Sequence, residues 1–194
     1  MKAFKLFFLI FCTLFFLPYS NSMAYEEANY DVIKKNKIYE IRKYSNRLAV
    51  ETIEYNQSSG FRKLFNYISG NNKTNQEIKM TTPVTRVEKN GNMTMQFYLP
   101  LRFNKKNVPD PSDENVNIII VEGGYYAAII YSGRTTDKNF LKHKDILQKE
   151  LIKDNMSITG LPIRATYNSP FTLPMNRRNE SMFKINYKKL LISN

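Results

Sequence analysis

Residues able to do covalent or metal chemistry are scarce in this chain. Of 194 residues, His143 is the only histidine and Cys12 the only cysteine. Phe140, Leu147 and Leu151 form one apolar face of a predicted helix, and His143 lies at the border of that face. A lone imidazole at such a border reads as a partly exposed surface residue rather than a ligand. The sequence holds no glycine-rich phosphate loop, no HExxH pair and no nucleophile elbow. Carboxylates such as Glu40, Glu51 and Glu77 are too evenly scattered to single out an acid–base pair. Glu51 and Glu54 fall in an alternating strand and are expected to point outward. Arg177 and Arg178, followed by Glu180, read as a turn locked by ion pairing or as free cations for an anionic ligand. The inventory favours binding over catalysis.

The stretch most suited to binding is Gly60–Val84. Phe61, Leu64, Phe65 and Ile68 recur at i, i+3, i+4 and i+7, one face of a short amphipathic helix. Ser58 and Ser59 can cap its first amides, and Gly70 can end it in the left-handed conformation. After an Asn-rich loop, Ile78-Lys79-Met80-Thr81-Thr82-Pro83-Val84 reads as extended, with Pro83 restricting Thr82. An aromatic helix followed by a Met-bearing extended segment suits one wall of an apolar cleft, and equally suits ordinary core.

Those elements must be carried by a domain. The length fits one domain, residues 25–194, once residues 1–24 are set aside as a secretory signal. Lys2 and Lys5 precede the apolar run Leu6–Leu17, which Pro18 breaks, and small residues follow at Ser20, Ser22 and Ala24. Its 12 residues fall short of the ~20 that span a bilayer, so no stable membrane span is expected after cleavage. The expected location is periplasmic or secreted. Cys12 leaves with the signal, which excludes disulfides, thiolate metal sites and a cysteine nucleophile from the mature chain. Without Lys2 and Lys5, 27 basic residues face 17 acidic ones, a charge of +10. The cations are dispersed among Asn and Tyr. They read as a solvated surface, and no nucleic-acid partner is expected.

Two similar halves follow. The first reads as a strand at 38–44, a turn at Ser45-Asn46 and a returning strand at 48–55. A helix at 60–69 follows, then strands at 82–88 and 93–99 around Asn90-Gly91, a strong hairpin signal. The second reads as strands at 116–121 and 125–131 around Gly123-Gly124, a helix at 137–153 capped by Thr136 or Asp137, and strands at 163–167 and 182–187. Residues 105–114 connect them. Helices segregated from antiparallel strands make this α+β. A duplicated strand–strand–helix–strand–strand unit can close into a barrel-like sheet with the two helices outside, and a cleft along its pseudo-symmetry axis is a natural ligand site.

Read in order, the runs YEIRKY (39–44), AVET (49–52), GFRKLFNYISGNN (60–72), IKMTTPV (78–84), FYLP (97–100), PDPSD (109–113), YSG (131–133), YNSPF (167–171) and RRNE (177–180) resemble the SOUL haem-binding protein family. The resemblance spans about residues 25–185. It implies a distorted eight-stranded, barrel-like sheet with two flanking helices, built from a repeated unit, and non-covalent binding of haem or a related tetrapyrrole in an apolar cleft beside the first helix. Phe61, Phe65, Ile68 and Met80 then become candidate wall residues, with Phe171 and Met175 from the late Pro-rich loop facing them. Arg177 and Arg178 become candidates for the propionates. Met80, Met175 and Tyr167 could act only as weak iron ligands, so the metal-ligating residue is unassigned. Ser58 and Asn66 stand where haem-binding relatives carry basic side chains, a departure that bears on affinity. The alternatives are a binder of another apolar or lipidic ligand and a hydrolase using the same cleft.

Overall fold

The computed structural model describes residues 25–54 and 59–187. The signal segment, Cys12 and Ser58 lie outside the described residues. The elements run β1 (Glu26–Glu27), β2 (Tyr30–Lys35), β3 (Glu40–Tyr44), β4 (Arg47–Glu54), α1 (Ser59–Ile68), β5 (Thr81–Thr82), β6 (Val84–Lys89) and β7 (Asn92–Tyr98). The second half adds β8 (Asn117–Val121), β9 (Gly124–Tyr131), α2 (Asp137–Lys153), β10 (Ser157–Ile158), β11 (Ile163–Thr166) and β12 (Asn179–Asn186). This is an α+β fold in which two helices lie on a curled antiparallel half-barrel.

The sheet order is β2-β3-β9-β12-β11-β6-β7-β4-β8, with β10 added on β12. Without β2 and β10 this order is a palindrome of the two halves. The pseudo-two-fold runs between β6 and β11, where Val84 pairs with Thr166 and Val87 with Ile163. Each half lends its first strand to the other, β3 to β9 and β8 to β4. The expected hairpins at Ser45-Asn46 and Gly123-Gly124 therefore do not form; both turns are corners at which the chain crosses between halves. They meet there, for a Cβ on Gly123 would lie 2.4 Å from the Tyr44 carbonyl oxygen, so only glycine allows the crossing. The Gly123 amide also donates to Asn46 Oδ1 at 2.7 Å. The Asn90-Gly91 hairpin does form. Lys89 pairs with Asn92, and φ is 51° at Asn90 and 76° at Gly91, as a tight primed turn demands.

Among the described residues the sheet has ten strands rather than eight and stays open, with β2 and β8 at its ends. The β2 strand was not visible in the sequence because it buries almost nothing. It is a solvated edge with Lys34 and Lys35, which discourage pairing with other chains.

Helix α1 presses Leu64, Tyr67 and Ile68 onto Val50, Met95 and Phe97. The Tyr67 hydroxyl donates to the Pro109 carbonyl at 2.7 Å and so ties the inter-half connector to this helix. Helix α2, capped by Thr136, which accepts from the Asn139 amide, packs Leu147 and Leu151 onto Ile41, Ala127, Ile129 and Phe183. Alternation along the strands sends the other side chains to the inner face. There Tyr126, Ala128, Ala165, Tyr167 and Met182 form a small third cluster.

Candidate functional site: a groove beside the first helix

Leu64 is wholly buried, whereas Phe61 and Phe65 are 42% and 48% exposed. The apolar stripe of α1 thus serves two ends. Its inner residues anchor the helix, and its two phenylalanines stand at the edge of a groove. Their rings stack with centroids 5.9 Å apart and 13° between planes, and Phe61 meets Phe97 edge-on at 5.2 Å. Across the groove from the helix lies the loop after β11. The Asn-rich loop after α1 is ordered by Asn72, whose amide donates to the Tyr67 and Gln76 carbonyls while its oxygen accepts from Thr74 and Gln76. That loop delivers Met80 to the groove.

The groove holds about 490 Å³ and is lined mainly by apolar groups: Phe61, Phe65, Met80, Val84, Met95 and Phe171, with Tyr25, Thr82, Arg86, Tyr167 and Arg177 among the others. Five of the eight residues singled out in the sequence, Phe61, Phe65, Met80, Phe171 and Arg177, therefore come together. Three do not. Ile68 is buried in the core, because position i+7 has turned beneath the helix toward Ile78 and Leu99. Met175 lies in a single 3-10 turn, Pro174–Asn176, and points into solvent outside the groove lining. Arg178 is committed elsewhere. Its guanidinium lies 2.8 Å from Glu180 and 3.0 Å from Glu27, and it covers the Tyr167 ring at 3.8 Å. The ion-paired reading was right for Arg178.

Arg177 holds the loop in shape. Its Nε donates to the Thr172 carbonyl at 2.8 Å and its Nη2 to Pro170. It also lines an adjoining polar recess with Arg134, Thr135 and Thr136. On the groove floor Arg86 pairs with Glu54, with Nε 3.0 Å from Oε2. The Glu54 side chain is only 5% exposed, so the expectation that it points outward fails. Burial raises its carboxyl pKa, and Arg86 opposes that shift. Glu51 is inward too, receiving Lys89 and Gln96, each at 2.6 Å. Strand β4 is largely covered on both faces, so alternation along it does not name a wet side.

His143 is on α2, stacked on Tyr131 at 4.0 Å with Nδ1 2.8 Å from the Asn139 carbonyl, and is not part of the groove. Among the described residues no cluster of three or more His, Cys, Asp or Glu could hold a metal. The groove offers iron only thioethers and phenols. Its shape and lining fit a flat apolar ring, and its donor set does not fit an imidazole- or thiolate-ligated metal.

Sequence reasoning missed Arg86 and, beyond the Arg178 pair, the buried Arg42 and Tyr167 arms of the network at Glu180. That carboxylate accepts from Arg42 at 2.7 and 3.2 Å, from Tyr167 at 3.0 Å and from Arg178 at 2.9 Å. The alternation in Val84-Thr85-Arg86 was the available signal for Arg86. The Arg42–Glu180 pair joins residues 138 apart in sequence and left none.

The fold is thus an α+β half-barrel of two exchanged repeats with an aromatic groove beside its first helix. Residues 25–184 match the SOUL heme-binding protein family, and the chain belongs to it. A relative from Mus musculus, Heme-binding protein 2, is 27% identical over 164 residues, covering 73% of this chain and 75% of that one. Two solved structures share the fold. The C-terminal domain of EcmrR has a TM-score of 0.57 at 12% identity, covering 81% of this chain and 98% of that one. A hydrolase from Listeria innocua has a TM-score of 0.54 at 8% identity, covering 79% and 94%. Among the described residues no helix is long and apolar enough to cross a membrane.

Proposed function

We propose that this is an exported, non-enzymatic binding protein that holds haem or a related tetrapyrrole non-covalently in the groove beside α1. The observation that carries this reading is the convergence of Phe61, Phe65, Met80 and Phe171 on one groove of suitable volume in a chain of the SOUL family. The phenylalanines would take the ring faces, Met80 and Met95 would fill the gaps between them, and Arg177 would meet a propionate at the mouth. The ligand supplies its own iron chemistry; this chain excludes water from one face of the ring and neutralises its acids. No nucleic-acid partner is part of this reading, since the likeness to EcmrR is one of fold. Export rests on Lys2, Lys5 and the Leu6–Leu17 run. N-terminal sequencing of protein from its native cell should begin near Met23 or Tyr25, and an intact Met1 would reject cleavage.

Hemin titration followed by the Soret band tests the ligand. Hemin should bind more tightly than its dimethyl ester by roughly ten- to a hundredfold, the worth of one charge-assisted hydrogen bond. Arg177→Ala should erase that preference, while Arg178→Ala, whose guanidinium is already paired, should keep it. Equal affinity for acid and ester would favour the second reading, a binder of another apolar or lipidic ligand. The absence of histidine and cysteine from the groove lining supports that alternative. A hydrolase is the weakest reading, because Glu54 beside the groove is occupied by Arg86.

A further inference from the structure

On the inner face of the half-barrel, where the two halves meet, lies a second and smaller cavity. Its walls come from both repeats: Tyr44, Arg47, Thr85 and Tyr98 from one, Tyr126, Tyr167 and Met182 from the other. It holds about 30 Å³. A water needs ~10–15 Å³ of such space, so two or three heavy atoms fit.

Arg47 is the anomaly here. It is 7% exposed, and among the described residues Nε, Nη1 and Nη2 are all buried without a hydrogen-bond partner. Its guanidinium lies 4.4 Å over the Tyr98 ring, which satisfies a face of the cation but none of its five N–H groups. The other cations of the inner face are provided for. Arg42 and Arg178 share Glu180, and Arg42 also has Glu40. Nearby carboxylates are engaged elsewhere: Glu180 by four donors, Glu122 at the cavity rim by Lys184 at 2.8 Å, and Glu26, whose charge reaches Arg47, by the Leu101 amide at 2.8 Å. Arginine does not escape by deprotonating, and a buried charge left unpaired is strongly unfavourable. Tyr44 adds a further donor, since its oxygen accepts from Arg42 Nη1 at 3.3 Å and leaves its own proton free. The cavity thus presents donors and a positive charge, and no acceptor in it is hydrogen-bonded to Arg47.

We propose that this axial cavity is a second ligand site, in which Arg47 receives the carboxylate of a small monovalent organic acid, with formate the simplest fit. The planar guanidinium fork matches a carboxylate through two parallel hydrogen bonds, which a spherical halide does not reproduce. Polyvalent or bulky anions exceed the room available. The cavity shares the Tyr167 wall with the groove beside α1, but Arg47 lies outside the groove lining, so the proposal does not rest on the tetrapyrrole reading.

The test uses the full chain without hemin. Sodium formate is titrated at constant ionic strength, with chloride and sulfate in parallel arms, while thermal unfolding and the Arg47 Nε–H resonance of protein labelled with ¹⁵N-arginine are followed. At formate ten times its dissociation constant, Tm should rise by roughly 3–6 °C. The Arg47 resonance should shift saturably at the same concentration, and sulfate should do neither. Arg47→Met, similar in length and uncharged, should lose the response to formate. If that variant does not fold, the Nε–H titration of the unsubstituted protein decides alone. A silent Arg47 resonance, or an equal Tm rise in Arg47→Met, would overturn the site. A stronger response to chloride than to formate would overturn its assignment to a carboxylate.

Discussion

Truncating Phe65 separates a groove wall from a core residue. Full burial of a phenylalanine is worth about 1.5–3 kcal/mol. Phe65 is 48% exposed, so roughly half of that, about 1 kcal/mol, is at stake. Loss of the stacked contact with Phe61 adds about 0.5–1 kcal/mol. Phe65→Ala should therefore destabilise by about 1–2 kcal/mol, lowering Tm by roughly 2–8 °C in a domain of this size. Leu64→Ala, one residue earlier at a wholly buried position, should cost about 2–5 kcal/mol through the cavity it leaves. Hemin affinity should order the two the other way. An aromatic ring stacked on a flat ligand contributes about 1–3 kcal/mol, so Phe65→Ala should weaken binding roughly 5- to 150-fold. Leu64→Ala should leave it nearly unchanged while the protein stays folded. Chemical denaturation gives the first pair of numbers and Soret titration the second. If Phe65→Ala costs as much stability as Leu64→Ala, or binds hemin as well as the unsubstituted protein, the assignment of the aromatic face to the groove is wrong.

Two further outcomes are expected. His143 stacks on Tyr131 on the far helix, so His143→Ala should leave the Soret position and hemin affinity unchanged; a large spectral shift would make it a ligand. Burial pulls the Glu40 carboxyl pKa up, but hydrogen bonds from Lys35 and Arg42 outweigh this and hold it below the usual glutamate range. The stability this provides is complete above the unfolded-state pKa and is lost as pH falls through the lower, folded-state value. Glu40→Gln should therefore reduce stability at pH 7 and flatten its dependence on pH below about 4–5, as read from urea midpoints at a series of pH values. A parallel acid limb in the variant would show that Glu40 contributes nothing to it.

Much of this protein was settled by local sequence. The i, i+3, i+4, i+7 stripe is sufficient to make α1, because one helical face must be buried whatever lies beneath it. Asn90-Gly91 is sufficient to make the β6–β7 hairpin, since few other residues accept two successive positive φ angles. The internal repeat follows from the same local rules, whereas the groove residues were named from the resemblance to the SOUL family, and five of those eight line the groove. Other features were decided only when the chain closed on itself. Ser45-Asn46 and Gly123-Gly124 look like hairpin turns, yet each joins strands that separate into opposite halves, because the exchange of β3 and β8 provides each with another partner. No local signal distinguishes a turn that pairs its flanking strands from a corner that parts them. The buried state of Glu54, the saturation of Glu180 and the isolation of Arg47 are likewise tertiary. Each depends on which side chains from distant strands arrive within about 3 Å, and a sequence specifies the charge of a residue without specifying whether an opposite charge will meet it.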